Sequence, residues 1–303
     1  MIAQKRIKVE APAKINLYLR IIGRRPDGYH DIDSVMQKLS LHDVLTISLA
    51  EQEDVRLSCP GSDLPEDDNN LVFQAADTFL KTVSIKAGVD IVLLKRIPIA
   101  AGLGGGSSDA GAVIRGMNAL FGTGLGTEEL ITIAAPLGAD VPFFVTDYGA
   151  AHASGIGEIL NRAESLQNCW ILLVNPGFPV STKWVYDNFA LTTGSNPYIL
   201  RPETKQSKND AISHKCTTTF RNDLESVTID RYPEIGGIKD AMQASGAVDV
   251  LMSGSGPTVF GLFAKHADAV RCFERFRQRY DDNVFITRPL TDNPQKLTMT
   301  QYH

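Results

Sequence analysis

Apolar residues recur along this chain at two periods, and the period switches where the secondary structure should switch. Ile15, Leu17, Leu19 and Ile21 alternate with Asn16, Tyr18 and Arg20, the spacing of a strand that buries one face. Residues 44–49 and 89–94 read as further strands, the second almost unbroken in apolar residues and so expected in the interior of a sheet. Between them, Leu71, Phe73, Ala75, Ala76, Phe79 and Leu80 predict an amphipathic helix over 70–81, with Asn69 or Asn70 able to cap it. Ala110, Val113, Ile114, Met117, Leu120 and Phe121 predict a second helix. A third, short one runs from Thr127 to near Gly138, where glycine suits a C-terminal cap.

Further on, residues 148–153 and 170–174 read as strands, 232–243 as a helix, 248–252 and 258–263 as strands, 266–280 as a helix and 284–287 as a strand. That order suggests a small α+β layer domain behind a larger region of α/β type. Residues 191–215 are polar and lack a period, as expected of a surface loop or insertion. The tail after Arg288 is polar and expected to fray.

The bulk numbers narrow the function. A chain of 303 residues, 43% hydrophobic and 21% charged, is long enough for two packed cores. Its formal charge of -5 argues against nucleic acid as the main partner, though a local basic pocket for one nucleotide remains compatible. The first ten residues alternate apolar and charged positions without the apolar run of a signal peptide, and no stretch approaches a membrane span. Cys59, Cys169, Cys216 and Cys272 lie far apart and form no C-x-x-C pair, which suggests isolated thiols in a reducing cytoplasm. His42, His152, His214, His266 and His303 show no metal-ligand spacing, so no resident metal is expected.

The chemistry enters with Pro98-Ile-Ala-Ala-Gly-Leu-Gly-Gly-Gly-Ser-Ser-Asp109, which lies between a predicted strand and a predicted helix. Glycines let backbone N–H groups turn toward a phosphate, and the following helix offers its unpaired N–H groups and positive dipole end. Gly102, Gly104, Gly105 and Gly106 supply the turn, with Leu103 between them, and Ser107 and Ser108 add hydroxyls able to cap the helix. A P-loop requires Gly-Lys-Ser/Thr at its end, and a dinucleotide fingerprint requires a sixth-position glycine; this loop has neither. Alone it indicates a phosphate held at a helix start. A ligand-free strand–helix turn is the alternative.

The loop and its companions resemble the GHMP kinase superfamily. The extended Gly102-Leu-Gly-Gly-Gly-Ser-Ser-Asp-Ala110 is similar to the branch that phosphorylates 4-diphosphocytidyl-2-C-methyl-D-erythritol. So are Ala11-Pro-Ala-Lys-Ile-Asn-Leu17, Pro26-Asp-Gly-Tyr-His30, Leu137-Gly-Ala-Asp-Val-Pro142 and Ser253-Gly-Ser-Gly-Pro257. These motifs span most of the chain; Gly111 departs from the alanine usual in that branch, which bears on helix packing. The resemblance implies a two-domain fold: an ATP-binding domain over 1–160 and a ferredoxin-like, substrate-side α+β domain over 161–303. It implies ATP as co-substrate, Mg2+ arriving with ATP, a cytidine diphosphate methylerythritol substrate and a monomer or weak homodimer.

It also implies roles. Asp140 would accept the proton of the attacking hydroxyl, and Lys14 would keep that carboxylate ionised and stabilise developing charge. Without the resemblance, Asp140 reads as a turn aspartate before Pro142 and Lys14 as a solvated lysine at a strand start. Tyr29 and His30 would stack on and read cytosine, with Tyr186 the second stacking face or simply a core aromatic. Asn16 would meet the methylerythritol hydroxyls, with Thr182 and Ile156 as weaker pocket residues. Asn70 and Lys95 would lie near adenine or ribose, or else serve as a helix cap and an exposed strand end. Gly254, Ser255 and Gly256 would shape the diphosphate pocket against the phosphate loop, or form a plain hairpin turn. The competing functions are a sibling kinase for mevalonate, homoserine or a sugar, and a non-catalytic nucleotide-binding regulator. The cytosine-reading Pro26–His30 segment separates the first; retention of both Lys14 and Asp140 speaks against the second.

Overall fold

The computed structural model describes residues 5–193, 220–292 and 297–301. Its backbone is a long antiparallel ribbon of β1 (Lys5–Arg24) and β2 (His30–Ala50), each much longer than its alternating segment predicts. The ribbon stays paired because its two halves find different neighbours. Residues 44–50 of β2 pair with β4 (Gly88–Leu94), which in turn holds β3 (Val55–Ser58). Residues 34–37 pair instead with β5 (Ala150–Ser154), whose other edge carries β6 (Ile159–Ala163). β4 is an interior strand, but only one of its faces is covered, and Val92 and Leu94 are exposed. Its apolar run therefore overstates its burial.

Four helices cover the other face of β4: α1 (Leu71–Thr82), α2 (Gly105–Phe121), α3 (Thr127–Ala134) and α4 (Val141–Val145). Ile7, Val9, Leu45, Ile47, Ile91 and Leu93 meet Phe79, Val113, Ile114 and Met117 there. Asn70 caps α1, its side chain accepting from the Val72 N–H at 2.9 Å. α2 begins five residues before its apolar pattern, with Gly104 at the cap position, so Ser107 and Ser108 sit inside the first turns and cap nothing. Gly111 has a packing reason: a Cβ there would stand 2.6 Å from the Cβ of Phe144 on α4.

The second sheet contains β7 (Trp170–Val174), β9 (Asp249–Met252), β10 (Val259–Phe263) and β11 (Val284–Thr287), in the spatial order β11-β7-β10-β9. Every pair is antiparallel. Fourth, first, third, second is the order of a ferredoxin-like unit. α5 (Thr182–Thr193), α6 (Glu225–Arg231), α7 (Pro233–Ala244) and α8 (His266–Tyr280) complete this half, while the two-residue β8 (Arg221–Asn222) pairs parallel with β1 on the large sheet. The helices pack on one face of the sheet through Val185, Ile235, Ile238, Met242 and Phe276. The opposite face, with Ile171, Leu173, Phe260 and Leu262, packs against Ala13, Ile15 and Leu17 of β1 and against Ala101 and Leu103 of the glycine loop. The loop is thus anchored in a core that both sheets share, and burying a leucine such as Leu103 contributes roughly 2 kcal/mol.

Two expectations change. The tail does not simply fray: β12 (Leu297–Gln301) pairs antiparallel with Lys5–Val9 and extends the large sheet. Edge pairing runs through main-chain groups, so side-chain polarity does not reveal it. The polar segment begins inside α5, and from residue 194 to 215 it lies outside the described residues, as do His214, Cys216 and His303. Among the described residues, Cys59, Cys169 and Cys272 are free and buried, and no helix is long and apolar enough to cross a membrane.

Candidate active site

The loop from Lys95 to Gly104 joins β4 to α2 through three left-handed residues, Ala100 (φ 52), Gly102 (φ 74) and Gly104 (φ 67). Pro98 is half-buried at its entry. At Gly102 the demand for glycine is steric as well, since a Cβ would lie 2.3 Å from the Ser253 carbonyl oxygen. The Ser253 hydroxyl donates to the Gly102 carbonyl at 2.8 Å, and the Lys14 N–H donates to the Leu103 carbonyl at 2.9 Å. So held, the loop delivers Gly105, Gly106 and Ser107 to the first turn of a 17-residue helix, where N–H groups have no intrahelical carbonyl to meet. Ser108 adds a buried hydroxyl with no hydrogen-bond partner among the described residues. Unpaired donors at a positive helix end are an anion site.

Lys14 faces this site from β1. Register breaks between Pro12 and Lys14 and between Asn16 and Tyr18 flank the two polar residues. Lys14 is buried rather than solvated: its Nζ lies 3.3 Å from Asp140 Oδ2 and donates to Asn16 Oδ1 at 2.7 Å. Asn16 passes the chain on to the Ser34 hydroxyl at 2.9 Å, which donates to the Tyr18 carbonyl at 2.7 Å. Asp140 occupies the cap position of α4, its side chain one-third exposed and bonded to no helix N–H. A Cβ on Gly104 would stand 2.9 Å from Lys14 Cγ, so the ammonium stem runs directly beneath the phosphate loop.

Tyr29 and His30 close the hairpin between β1 and β2, where Gly28 adopts φ 90 and its N–H donates to the Arg25 carbonyl at 3.0 Å. The Tyr29 ring stands exposed. His30 is buried, and its Nε2 has no hydrogen-bond partner among the described residues. Burial, helped by nearby Arg24 and opposed by Asp187, lowers the His30 pKa, so the ring is neutral at pH 7 and its open nitrogen can serve a ligand edge. Its ring centroid lies 5.4 Å from that of Tyr186 on α5. Burial, and secondarily the Asp140 charge, raises the Tyr186 pKa and keeps its hydroxyl protonated. No ring contact joins Tyr29 to Tyr186 among the described residues. Ile156, in the β5–β6 turn, is half-buried, and its N–H donates to Glu158 at 2.7 Å.

Gly254, Ser255 and Gly256 belong to a connection that crosses from β9 to β10 against the phosphate loop rather than out into solvent. A Cβ on Gly254 would lie 3.3 Å from Asn16 Oδ1 and 3.7 Å from Lys14 Nζ. The Ser255 hydroxyl is 2.9 Å from that of Thr182, at the start of α5. Asn222, which sequence reading missed, holds this turn by donating to the Met252 and Gly254 carbonyls at 2.9 and 2.7 Å. Ser34 was missed as well, its partners being remote in sequence, and Ser253, quoted within the Ser253–Pro257 motif, was given no role of its own.

Lys95 is not an exposed strand end. Its Nζ bridges Asp43 Oδ2 at 2.5 Å and Asp109 Oδ2 at 2.7 Å, with both carboxylates buried. Asp43, absent from the sequence reading, also accepts from the Arg96 and Ile97 N–H groups at 2.5 and 2.9 Å. Asn70 remains tied up as a cap, its amide donating to the Pro65 carbonyl at 2.8 Å, although α1 does reach the loop: a Cβ on Gly106 would lie 3.7 Å from Leu71.

A strand–glycine loop–helix cradle facing a lysine–aspartate pair, with a ferredoxin-like unit packed behind it, is the arrangement of a small-molecule kinase of the GHMP type. Residues 70–148 match the GHMP kinases N terminal domain, and residues 200–282 match the GHMP kinases C terminal region. The 4-diphosphocytidyl-2-C-methyl-D-erythritol kinases of Geobacter metallireducens and Geobacter sulfurreducens are each 46% identical, over 94% and 91% of this chain and 99% and 96% of theirs. A crystal structure of 4-(cytidine 5'-diphospho)-2C-methyl-D-erythritol kinase superposes with a TM-score of 0.77 at 32% identity, covering 92% of this chain and 98% of that one. A homoserine kinase from Cytophaga hutchinsonii, at 17% identity and a TM-score of 0.71, shares the fold. The chain belongs to the 4-diphosphocytidyl-2-C-methyl-D-erythritol kinase family within the GHMP kinases.

Proposed function

We propose that this protein transfers the γ-phosphoryl group of ATP to the 2-hydroxyl of 4-diphosphocytidyl-2-C-methyl-D-erythritol, as a cytoplasmic monomer or weak homodimer. The observation that carries the reading is the Lys14–Asp140 pair, 3.3 Å apart and set against the phosphate loop. The triphosphate lies over the first turn of α2, its charge met by free N–H groups and the helix dipole. The Asp140 carboxylate takes the proton of the substrate hydroxyl as the new P–O bond forms and the bond to ADP breaks. Lys14, fixed by Asn16, stays paired with that carboxylate and offsets charge on the equatorial oxygens. Mg2+ supplies further charge neutralisation when bound. Among the described residues no three His, Cys, Asp or Glu gather in one place. Of the carboxylates Asp109 and Asp140, the partly exposed Asp140 is the one open to it.

His30 and the flanking rings of Tyr29 and Tyr186 recognise cytosine, the neutral imidazole pairing with its polar edge. Asn16, Ser255 and Thr182 face the polyol and diphosphate between the two ends. The decisive assay follows ADP release from MgATP with the cytidine diphosphate substrate, mevalonate and homoserine side by side. Turnover with mevalonate or homoserine and none with the cytidine compound sinks the substrate assignment. Asp140→Asn should abolish turnover while leaving ATP binding intact; undiminished turnover removes Asp140 as the base.

A further inference from the structure

Under the phosphate loop, two buried carboxylates converge on one largely enclosed ammonium. Asp43 reaches it from β2, Asp109 from the second turn of α2, and Lys95 from the end of β4. Asp43 and Asp109 are 0% and 1% exposed, so solvent offsets neither charge. With both ionised, the cluster would carry a net negative charge in a low-dielectric site next to where a triphosphate binds. A like-charged pair sharing one counter-charge resolves that conflict by keeping a proton.

The hydrogen bonds say which carboxyl keeps it. Asp43 Oδ1 accepts two backbone N–H groups, from Arg96 and Ile97, besides the lysine bond to its Oδ2, and such donors stabilise the ionised form. Asp109 Oδ2 accepts from Lys95, but its Oδ1 is buried and has no hydrogen-bond partner among the described residues. An unpaired oxygen is far less costly on a neutral acid than on a carboxylate.

We propose that Asp43, Lys95 and Asp109 hold a single shared proton, carried on Asp109, so that the floor of the nucleotide site has no net charge and admits the triphosphate. Asp43 and Lys95 are then positioning residues: their pair ties β2 to the loop entry at Arg96 and Ile97. This rests on the reading that ATP occupies the glycine loop. Burial, opposed by Lys95 and reinforced by Asp43, raises the Asp109 pKa to about 8, so the acid is neutral at pH 7 and ionises above it. The other titratable neighbours do not compensate. The Cys59 thiol is pushed up by burial and stays neutral, and Glu66 beyond it is occupied by the Cys59 N–H at 2.5 Å.

Two measurements on the full chain test this separately. Infrared spectra at pH 6.5 should contain a protonated-carboxyl C=O band that fades with a midpoint near pH 8 and is missing in Asp109→Asn. No band sensitive to that substitution would overturn the shared proton, whatever binds to the loop. Titration calorimetry with a non-hydrolysable ATP analogue should show binding weakening roughly tenfold between pH 7.5 and 9.5, with proton uptake near pH 8, and Asp109→Asn should flatten the dependence. Analogue binding with the same affinity and no proton uptake across that range overturns the inference and leaves the kinase reading intact. Absence of analogue binding at every pH overturns the nucleotide assignment of the loop itself.

Discussion

Replacing Gly102 by alanine tests how the two halves of the molecule jointly hold the phosphate loop. The new methyl group would lie 2.3 Å from the Ser253 carbonyl oxygen, 2.9 Å from that of Gly256 and 3.2 Å from the Gly256 nitrogen. All three are backbone atoms, and the turn that bears them is pinned by Asn222 through the Met252 and Gly254 carbonyls. It cannot rotate aside as a side chain would, so the loop must withdraw by about 1 Å to reach ordinary van der Waals separation. A left-handed φ of 74 adds roughly 1 kcal/mol of backbone strain for any residue with a Cβ. Displacement on that scale at a phosphate cradle costs about 100-fold in turnover. Gly124→Ala separates strain from displacement: its φ is 70, but nothing lies within 4 Å of the added methyl. In a coupled ADP-release assay, Gly102→Ala should lose about two orders of magnitude in kcat/KM while Gly124→Ala stays within about threefold of wild type. Both should melt lower through the backbone strain, and Gly102→Ala by more, because its loop must also withdraw. If Gly102→Ala also stays within threefold, the loop does not depend on its close fit to the glycine turn, and the reasoning fails.

Two further outcomes follow from buried groups. Lys38 is fully enclosed, its amino group donating to the Thr146 carbonyl at 2.9 Å and lying 4.6 Å from the centre of the Phe143 ring, and burial holds its pKa well below the usual lysine range. Between that depressed value and the unfolded one, the unfolded chain binds more protons, so this residue makes stability rise with pH. Lys38→Met should remove that rise, and urea unfolding from pH 7 to 9.5 that gives parallel curves for the two proteins would contradict it. If its open Nε2 reads the cytosine edge as proposed, His30→Ala should raise KM for the cytidine substrate at least tenfold and leave KM for ATP within about twofold. Equal effects on both constants would place His30 outside cytosine recognition.

The helices and the second sheet were readable in outline because their burial is one-sided and periodic: residues 170–174, 266–280 and 284–287 coincide with β7, α8 and β11. Residues 30–43 of β2 carried no such signal, because different stretches of that strand pair with β4 and β5 and its mixed polar and apolar positions serve both. Tyr186 stayed ambiguous for a related reason. Helical spacing says which face of α5 is inward, but not that His30, from a distant hairpin, stands 5.4 Å away.

The amino-acid sequence by itself marked the glycine loop between a strand and a helix as a candidate phosphate cradle, since glycines there act through local backbone geometry and the helix's own free N–H groups. It also placed Lys14 and Asp140 in motifs similar to those of one kinase branch. Only the tertiary structure decided that these two side chains lie 3.3 Å apart, that Ser253 bonds the loop at Gly102 while Asn222 holds the turn that carries Ser253, and that Lys95 sits between Asp43 and Asp109. Those are contacts between groups 14 to 151 positions apart in the chain. Their energies arise from burial and shared charge, quantities that no local window of sequence contains.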